Sequence, residues 1–102
     1  MRVWDVSPGY LNRHSLLGEH REVHALATIL QGGKAGYAHH PETRRWRGHL
    51  TALAQRHRLL VAEMALRGYR HHSPLVVEDD GAGWPTTYVD TPAGQLAILA
   101  TK

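Results

Sequence analysis

Two long segments of the chain repeat apolar residues with the period of an α-helix. In the first, Asn12 or Ser15 can cap a helix that runs to about Gln31. The pair Gly32-Gly33 then ends it, because glycine readily takes a left-handed conformation after a helix. The apolar residues recur at spacings of seven, four and three and share one face: Leu16, Val23, Ala27 and Leu30.

The second segment, residues 49–67, has the most regular pattern in the chain, and Gly68 closes it. One face of this predicted helix carries Leu50, Leu53, His57, Leu60, Val61 and Met64. Four charged residues fall outside that face: Arg56, Arg58, Glu63 and Arg67. The pattern therefore predicts a helix whose charges lie away from the core.

Two shorter helices are indicated on either side of this segment. Pro41 suits the first position of a short helical turn through Arg47, and Thr91-Pro92 can cap and begin a final helix over residues 93–100. Residues 75–77 could instead form a strand, but one short strand makes no sheet. We therefore predict an all-α fold, a compact single-domain bundle of about three helices with long ordered loops.

The length and composition limit the number of domains and the kinds of site that the chain can form. A chain of 102 residues fits one domain, residues 1–102, whose thin core favours a surface cleft as the site. The absence of cysteine excludes disulfides, cysteine-based zinc sites and thiol catalysis. Neither a signal peptide nor a run long enough to span a membrane is visible, so we expect an intracellular protein with no membrane partner.

The charge pattern favours an anionic partner. The net charge is +3 with every histidine neutral, and nucleic acid is the commonest partner of small basic proteins. The run Arg44-Arg45-Trp46-Arg47 is typical of a DNA-contacting patch in which an aromatic ring stacks on a base. The alternative is a solvated turn whose tryptophan packs into the core, and the sequence leaves both interpretations open.

Several motifs, in the same order and spacing, are similar to those of a known family. Residues 16–22, Leu-Leu-Gly-Glu-His-Arg-Glu, resemble a Leu-Met-Ala-Glu-Tyr-Arg-Glu run in the phage pyrimidine-dimer DNA glycosylases, often called endonuclease V. Residues 58–69 and the pair Gly33-Lys34 resemble further segments of the phage members. Bacterial relatives share the Met-Arg-x-Trp opening and a Gly-Tyr-x-x-His-Pro run like residues 36–41. The resemblance covers roughly residues 1–70.

This resemblance implies a bifunctional DNA-repair enzyme, a DNA glycosylase with abasic-site lyase activity. The N-terminal amine, here that of Met1, would attack C1′ of the damaged nucleotide, expel the base and leave an imine, and β-elimination would then cut the strand. Glu22 lies as far from Met1 as the family's catalytic glutamate lies from its mature N-terminus, so Glu22 would take or relay protons. Catalysis would need no metal and no organic cofactor.

An α-amino group suits this chemistry because the amine must be neutral to attack. With a pKa near 7.7–8.0, roughly a quarter of such groups are neutral at pH 7.4, against about one in a thousand lysines. The chain has only two lysines, Lys34 and Lys102. Because a bulky residue at position 2 blocks removal of the initiator methionine, Arg2 keeps Met1 in the family's register.

The resemblance also implies DNA contacts near the scissile phosphate. Arg2 and Arg21 align with arginines that the family uses there, where a guanidinium can grip two oxygens. Ala25 replaces a third family arginine, for which the adjacent His24 would substitute. The whole predicted DNA-binding set is Arg2, Arg21, His14, His24, Lys34, Arg44, Arg45, Trp46 and Arg47.

Three side chains in the first helix have competing interpretations. Glu19 borders the apolar face, so we predict that it ties down the N-terminal segment through an ion pair; it is also the second candidate for the acid–base role. His20 and His24 stand four apart, a spacing that can bind a metal from one helix face. Because no HExxH order accompanies them, we predict no metal site. If the two histidines did bind a metal, the chain would be a histidine-based metallohydrolase, a rival to the glycosylase hypothesis that EDTA would inactivate.

The expected partner is damaged double-stranded DNA, bound by a cytoplasmic, nucleoid-associated monomer with no obligate protein partner. A second hypothesis is a non-enzymatic, basic helical DNA-binding module that keeps the scaffold without the chemistry. Substrate choice among ultraviolet pyrimidine dimers, other lesions and abasic sites stays open, because residues 84–102 differ from the aromatic, basic tail of the phage members.

Overall fold

The structure is a computed structural model that describes residues 1–32, 39–70 and 73–102. Within these ranges a 3₁₀ turn, Pro8–Tyr10, precedes four helices and no strand is present. The helices are α1 (Arg13–Leu30), α2 (Pro41–Trp46), α3 (Leu50–Leu66) and α4 (Pro92–Ala100). The predicted all-α bundle is confirmed, and residues 75–77 belong to neither a helix nor a strand.

Local sequence signals set most of the helix ends. The Asn12 side chain accepts a hydrogen bond from the Ser15 N–H at 2.7 Å and caps α1, as predicted. Gly32, with φ +96°, follows the end of α1 in the conformation that favours glycine. The Thr91 hydroxyl accepts from the Gly94 N–H at 3.2 Å and starts α4, with Pro92 in its first turn.

The core lies between α1, α3 and the N-terminal segment, residues 1–12, which precedes α1. Its fully buried residues include Val3, Leu16, Val23, Leu26, Leu53 and Leu60 from these parts, and Trp46 from α2. From α4, Leu99 joins the same cluster. The radius of gyration is 13.1 Å, the value expected of a compact domain of about 100 residues. No helix in the described part of the chain is long and apolar enough to cross a bilayer.

The start of α3 is capped from a distance. His49 makes no capping hydrogen bond with its side chain. Asp80 accepts instead from the N–H groups of Leu50, at 2.6 Å, and Thr51, at 3.2 Å. The loop before residue 84 is therefore docked on the N-terminal end of α3, where a negative charge is favourable.

One prediction for α3 is wrong. Arg56 does not lie outside the buried face but is only 2% exposed. It enters the core because α1 supplies a carboxylate, that of Glu19, which pairs with it there.

Candidate active site

Two buried carboxylates hold the backbone of the N-terminal segment. The Val3 N–H donates to Oε2 of Glu42, on α2, at 2.7 Å. The Trp4 backbone hydrogen-bonds to the carboxylate of Glu19, on α1. Burial raises the pKa of both glutamates above the ordinary value, and these hydrogen bonds oppose the rise. The terminus is thereby fastened to α1 and α2 two residues after it begins.

The Glu19–Arg56 pair is bidentate and lies inside the protein. Arg56 Nε and Nη2 donate to the two Glu19 oxygens at 2.6 and 2.9 Å. Arg56 Nη1 donates to the Val6 carbonyl at 2.7 Å, which fixes a further point of the N-terminal segment. The prediction that Glu19 ties down this segment through an ion pair is confirmed, and its carboxylate is occupied by that task.

A second buried network corrects part of the predicted DNA patch. Arg45 is 7% exposed, forms an ion pair with Asp5 and donates to Glu42 at 3.2 Å. Trp46 is fully buried and packs edge-on against Trp84, with ring centroids 5.1 Å apart. Neither side chain is available to a nucleic acid in this structure, so their assignment to DNA binding was wrong. The other two residues of the run, Arg44 and Arg47, are exposed.

Glu22 lies one helical turn beyond Glu19 on α1. Side chains three residues apart on a helix are neighbours, with Cβ atoms about 5–6 Å apart. Glu22 is half-buried, and neither its carboxylate nor the Met1 amine makes a hydrogen bond or ion pair with another described residue. Met1 packs partly against the core. Since two residues span at most about 7 Å, the amine stays within that distance of the anchored Val3 nitrogen.

A basic groove runs along α1 on the exposed side. It has a volume of about 370 Å³ and is lined by Arg13, His14, Leu17 and Arg21. His14 and Arg21 are predicted site residues, and the structure brings them together in this groove. Sequence reasoning missed Arg13, which its spacing of four from Leu17 and eight from Arg21 could have revealed.

The remaining predicted residues are dispersed. Arg2 pairs with Asp90 at 2.8 Å and stacks over the Trp4 ring, so it is only partly free to meet a phosphate. His24 turns towards α3, where its Nε2 lies 3.2 Å from Nε2 of His57. His20 joins them, and one ring nitrogen of each of the three histidines lies within 4.8 Å of the other two. Lys34 lies outside the described residues.

The C-terminal third also supports the N-terminal segment, which no sequence signal indicated. Gln95, on α4, accepts from the Asp5 N–H at 2.6 Å and donates to the Asp5 carboxylate at 2.8 Å. Trp84 Nε1 donates to the other oxygen of that carboxylate at 2.7 Å. Buried contacts from four elements thus converge on residues 3–6.

Comparison with known proteins identifies the family. The sequence model of the pyrimidine dimer DNA glycosylase family matches residues 1–76, a range that holds the anchored terminus, Glu22 and helices α1 to α3. No curated protein and no solved structure matches the chain significantly. Because the matched range is well over half of the 102 residues, the chain belongs to the pyrimidine dimer DNA glycosylases, a family of DNA-repair enzymes.

Proposed function

We propose that this glycosylase also cleaves abasic sites, with the Met1 amine as nucleophile and Glu22 as the proton-transferring group. The observation that carries the proposal is the double anchoring of Val3 and Trp4 by Glu42 and Glu19. It holds residues 3 and 4 against α2 and α1, and Glu22, one turn along α1 from Glu19, has no competing partner among the described residues. A nucleophile and a base that are held in place have little freedom left to lose during the reaction.

The chemistry balances with these two groups and water, which supplies the proton that the sugar O4′ takes when the ring opens. The neutral amine forms a bond to C1′ while the bond from C1′ to the base nitrogen breaks, and the base leaves with a proton. Opening of the sugar ring gives an imine, which acidifies the C2′ hydrogen. The Glu22 carboxylate removes that proton, the C3′–O bond breaks, and the 3′ phosphate leaves. Water then hydrolyses the imine and frees the amine.

The basic groove supports DNA binding at the same helix. Arg13 and Arg21 face solvent on α1, the helix that carries Glu22. Phosphate contacts from such residues position the duplex without reading its sequence. We propose that Arg21, His14 and Arg13 hold the backbone next to the lesion, with Arg44 and Arg47 as further contacts. The nucleotide would have to leave the stack to expose C1′.

Borohydride trapping on a duplex with one abasic site tests the amine. Reduction of the imine links protein to DNA, and peptide mapping should locate the link at Met1. Extending the terminus by one glycine moves the amine by about 3.6 Å and should abolish trapping. A link that maps to Lys34 or Lys102 would refute the role of Met1.

Replacement of Glu22 tests the carboxylate. Glu22→Gln should slow incision about 100-fold or more, the usual contribution of a positioned acid–base group. Glu78→Gln, which removes an exposed carboxylate of the same kind, should leave the rate unchanged. Full activity of the Glu22→Gln protein would transfer the role to another group. A wild-type protein that binds the duplex but is never trapped would favour the alternative of a non-enzymatic DNA-binding module.

A further inference from the structure

Three histidines from two helices converge on one point in the structure. His20 and His24 lie one turn apart on α1, and His57 reaches them from α3. One ring nitrogen of each lies within 4.8 Å of the others, and the ring centroids are 4.8 to 5.3 Å apart. We propose that these three imidazoles bind a divalent transition-metal ion, for which Zn²⁺ is the probe.

The spacing of the nitrogens fits such an ion. Imidazole nitrogens bind Zn²⁺ at about 2.0–2.1 Å, so two of them in a tetrahedral site are about 3.3 Å apart. The Nε2 atoms of His24 and His57 are already 3.2 Å apart. The third nitrogen, within 4.8 Å, needs a shift of about 1.5 Å at most, which side-chain rotation supplies.

The donor set also selects the class of ion. Neutral imidazole suits Zn²⁺, Ni²⁺, Cu²⁺ and Fe²⁺, whereas Mg²⁺ and Ca²⁺ prefer oxygen ligands. Three protein ligands leave a fourth position for water or another small donor. The buried His57 also lines a cavity of about 470 Å³ with Ala54, Pro74 and Leu75, which gives the ion a path from solvent.

The site is separate from the proposed catalytic carboxylate. At about 100° per residue, Glu22 projects from α1 about 160° away from His20 and His24, which lie two residues on either side of it. An ion bound by His20, His24 and His57 would therefore cross-link α1 to α3 on the other flank of α1. In a domain with so thin a core, such a link stabilises the packing that positions the N-terminal segment.

The sequence alone predicted no metal site, and the reason is the third ligand. His57 fits the apolar face of α3 and gives no sign of its partners, which lie 33 residues or more away along the chain. Only the packing of α3 on α1 turns a histidine pair into a possible chelate.

Metal titration of untagged, chelator-stripped protein tests the proposal. Calorimetry should show one Zn²⁺ per chain, and Co²⁺ should give the intense visible absorption of a tetrahedral site. A hundredfold excess of Zn²⁺ over its dissociation constant should raise Tm by about 10 °C.

Two half-buried ligands provide the variants. His20→Gln and His24→Gln should each weaken Zn²⁺ binding at least about tenfold, while His39→Gln, at an exposed histidine, should bind as the wild type does. His57→Gln replaces a buried residue and is interpreted only if its circular dichroism shows a folded protein. Undetectable binding to the stripped wild-type protein, or equal affinity in all variants, overturns the proposal and leaves a hydrogen-bonded histidine cluster.

The metal-binding proposal can be tested independently of the proposed lyase reaction. Stripped protein, assayed below its Tm, should still be trapped by borohydride on abasic DNA, because the ion takes no part in imine formation. Loss of trapping on metal removal, with circular dichroism unchanged, would contradict a purely structural role and show that the ion takes part in imine formation. Failure to trap with intact metal binding would refute only the lyase.

Discussion

At the scale of single residues, buried charge stabilises the N-terminal segment. Glu19 and Arg56 are each 2% exposed, and among the described residues their charges are paired with each other and with backbone groups alone. Burial of an ion pair is costly, but removal of one partner costs more, since it leaves an uncompensated charge in the core. This asymmetry makes the pair a sensitive point of the structure.

We therefore predict that Arg56→Ala lowers the free energy of unfolding by about 3–5 kcal/mol, as is typical when a buried ion pair loses one partner. Arg58→Ala, two residues along and exposed, should change it by about 0.5 kcal/mol or less. Urea denaturation measures both. The double variant Glu19→Leu/Arg56→Met should recover most of the loss. A loss below about 1 kcal/mol in Arg56→Ala would show that Glu19 does not depend on this partner.

Single residues were also the hardest to interpret from the sequence. The periodicity of α3 correctly selected Leu53, Leu60 and Met64 as core residues but placed Arg56 outside the core. Its partner lies 37 residues earlier, and periodicity carries no information about partners on other helices. Trp46 was interpreted as a base-stacking residue for the same reason. Its neighbours in sequence are arginines, and they give no sign that its ring packs against Trp84.

At the scale of elements, local signals were sufficient wherever the stabilising group is close in sequence. The caps at Asn12 and Thr91 lie three residues from the N–H groups that they satisfy, and both were predictable. The start of α3 was not, because Asp80 lies 30 residues along the chain from Leu50, the first residue of the helix that it caps. The helices were thus predictable from the sequence, but the loop that caps the start of α3 was not.

The capping aspartate gives a pH-dependent prediction. Desolvation acts to raise the pKa of Asp80, but hydrogen bonds from Leu50, Ala82 and Thr51 outweigh it and lower the pKa from 3.8 to about 2. A lowered folded-state pKa means that the ionised group contributes stability above pH 3.8, and that this contribution is lost as the pH falls through about 2. The cap should therefore weaken between these two values.

Asp80→Asn replaces two accepting oxygens by one and removes the charge, so it should lower Tm at pH 7. The difference from the wild type should shrink as the pH is lowered from about 4 to 2. Calorimetric scans across this range measure it, with Glu78→Gln as the matched acidic control. A difference that stays constant with pH would show that the carboxylate charge plays no part in capping α3.

At the scale of the whole molecule, the part of the chain beyond the family match supports the part within it. Residues 84–95 supply Trp84, Asp90 and Gln95, which bind Asp5 and Arg2 of the N-terminal segment. The sequence resemblance ended before these residues and could assign them no role. Their contacts indicate that the matched and unmatched parts jointly position the terminus on which the proposed chemistry depends.

Exposed arginines lie on different faces of the protein, so substitutions can test which face binds DNA. Arg13 and Arg21 line the α1 groove, whereas Arg58 lines a cavity with Asp79, beside an acidic segment that disfavours DNA. Each phosphate contact releases counterions and adds about −0.9 to the slope of log affinity against log salt. Arg13→Gln/Arg21→Gln should therefore weaken duplex binding and reduce the slope by about 2.

Arg58→Gln also removes one positive charge but should leave the slope unchanged. This control distinguishes the position of an arginine from its effect on the net charge. Fluorescence anisotropy at several salt concentrations measures both variants on a lesion-bearing duplex and on undamaged duplex. Because phosphate contacts carry no sequence information, the loss in the double variant should be equal on the two duplexes. A loss confined to the lesion-bearing duplex would mean that the α1 groove reads the lesion itself, and an unchanged slope would place the DNA on another face of the protein.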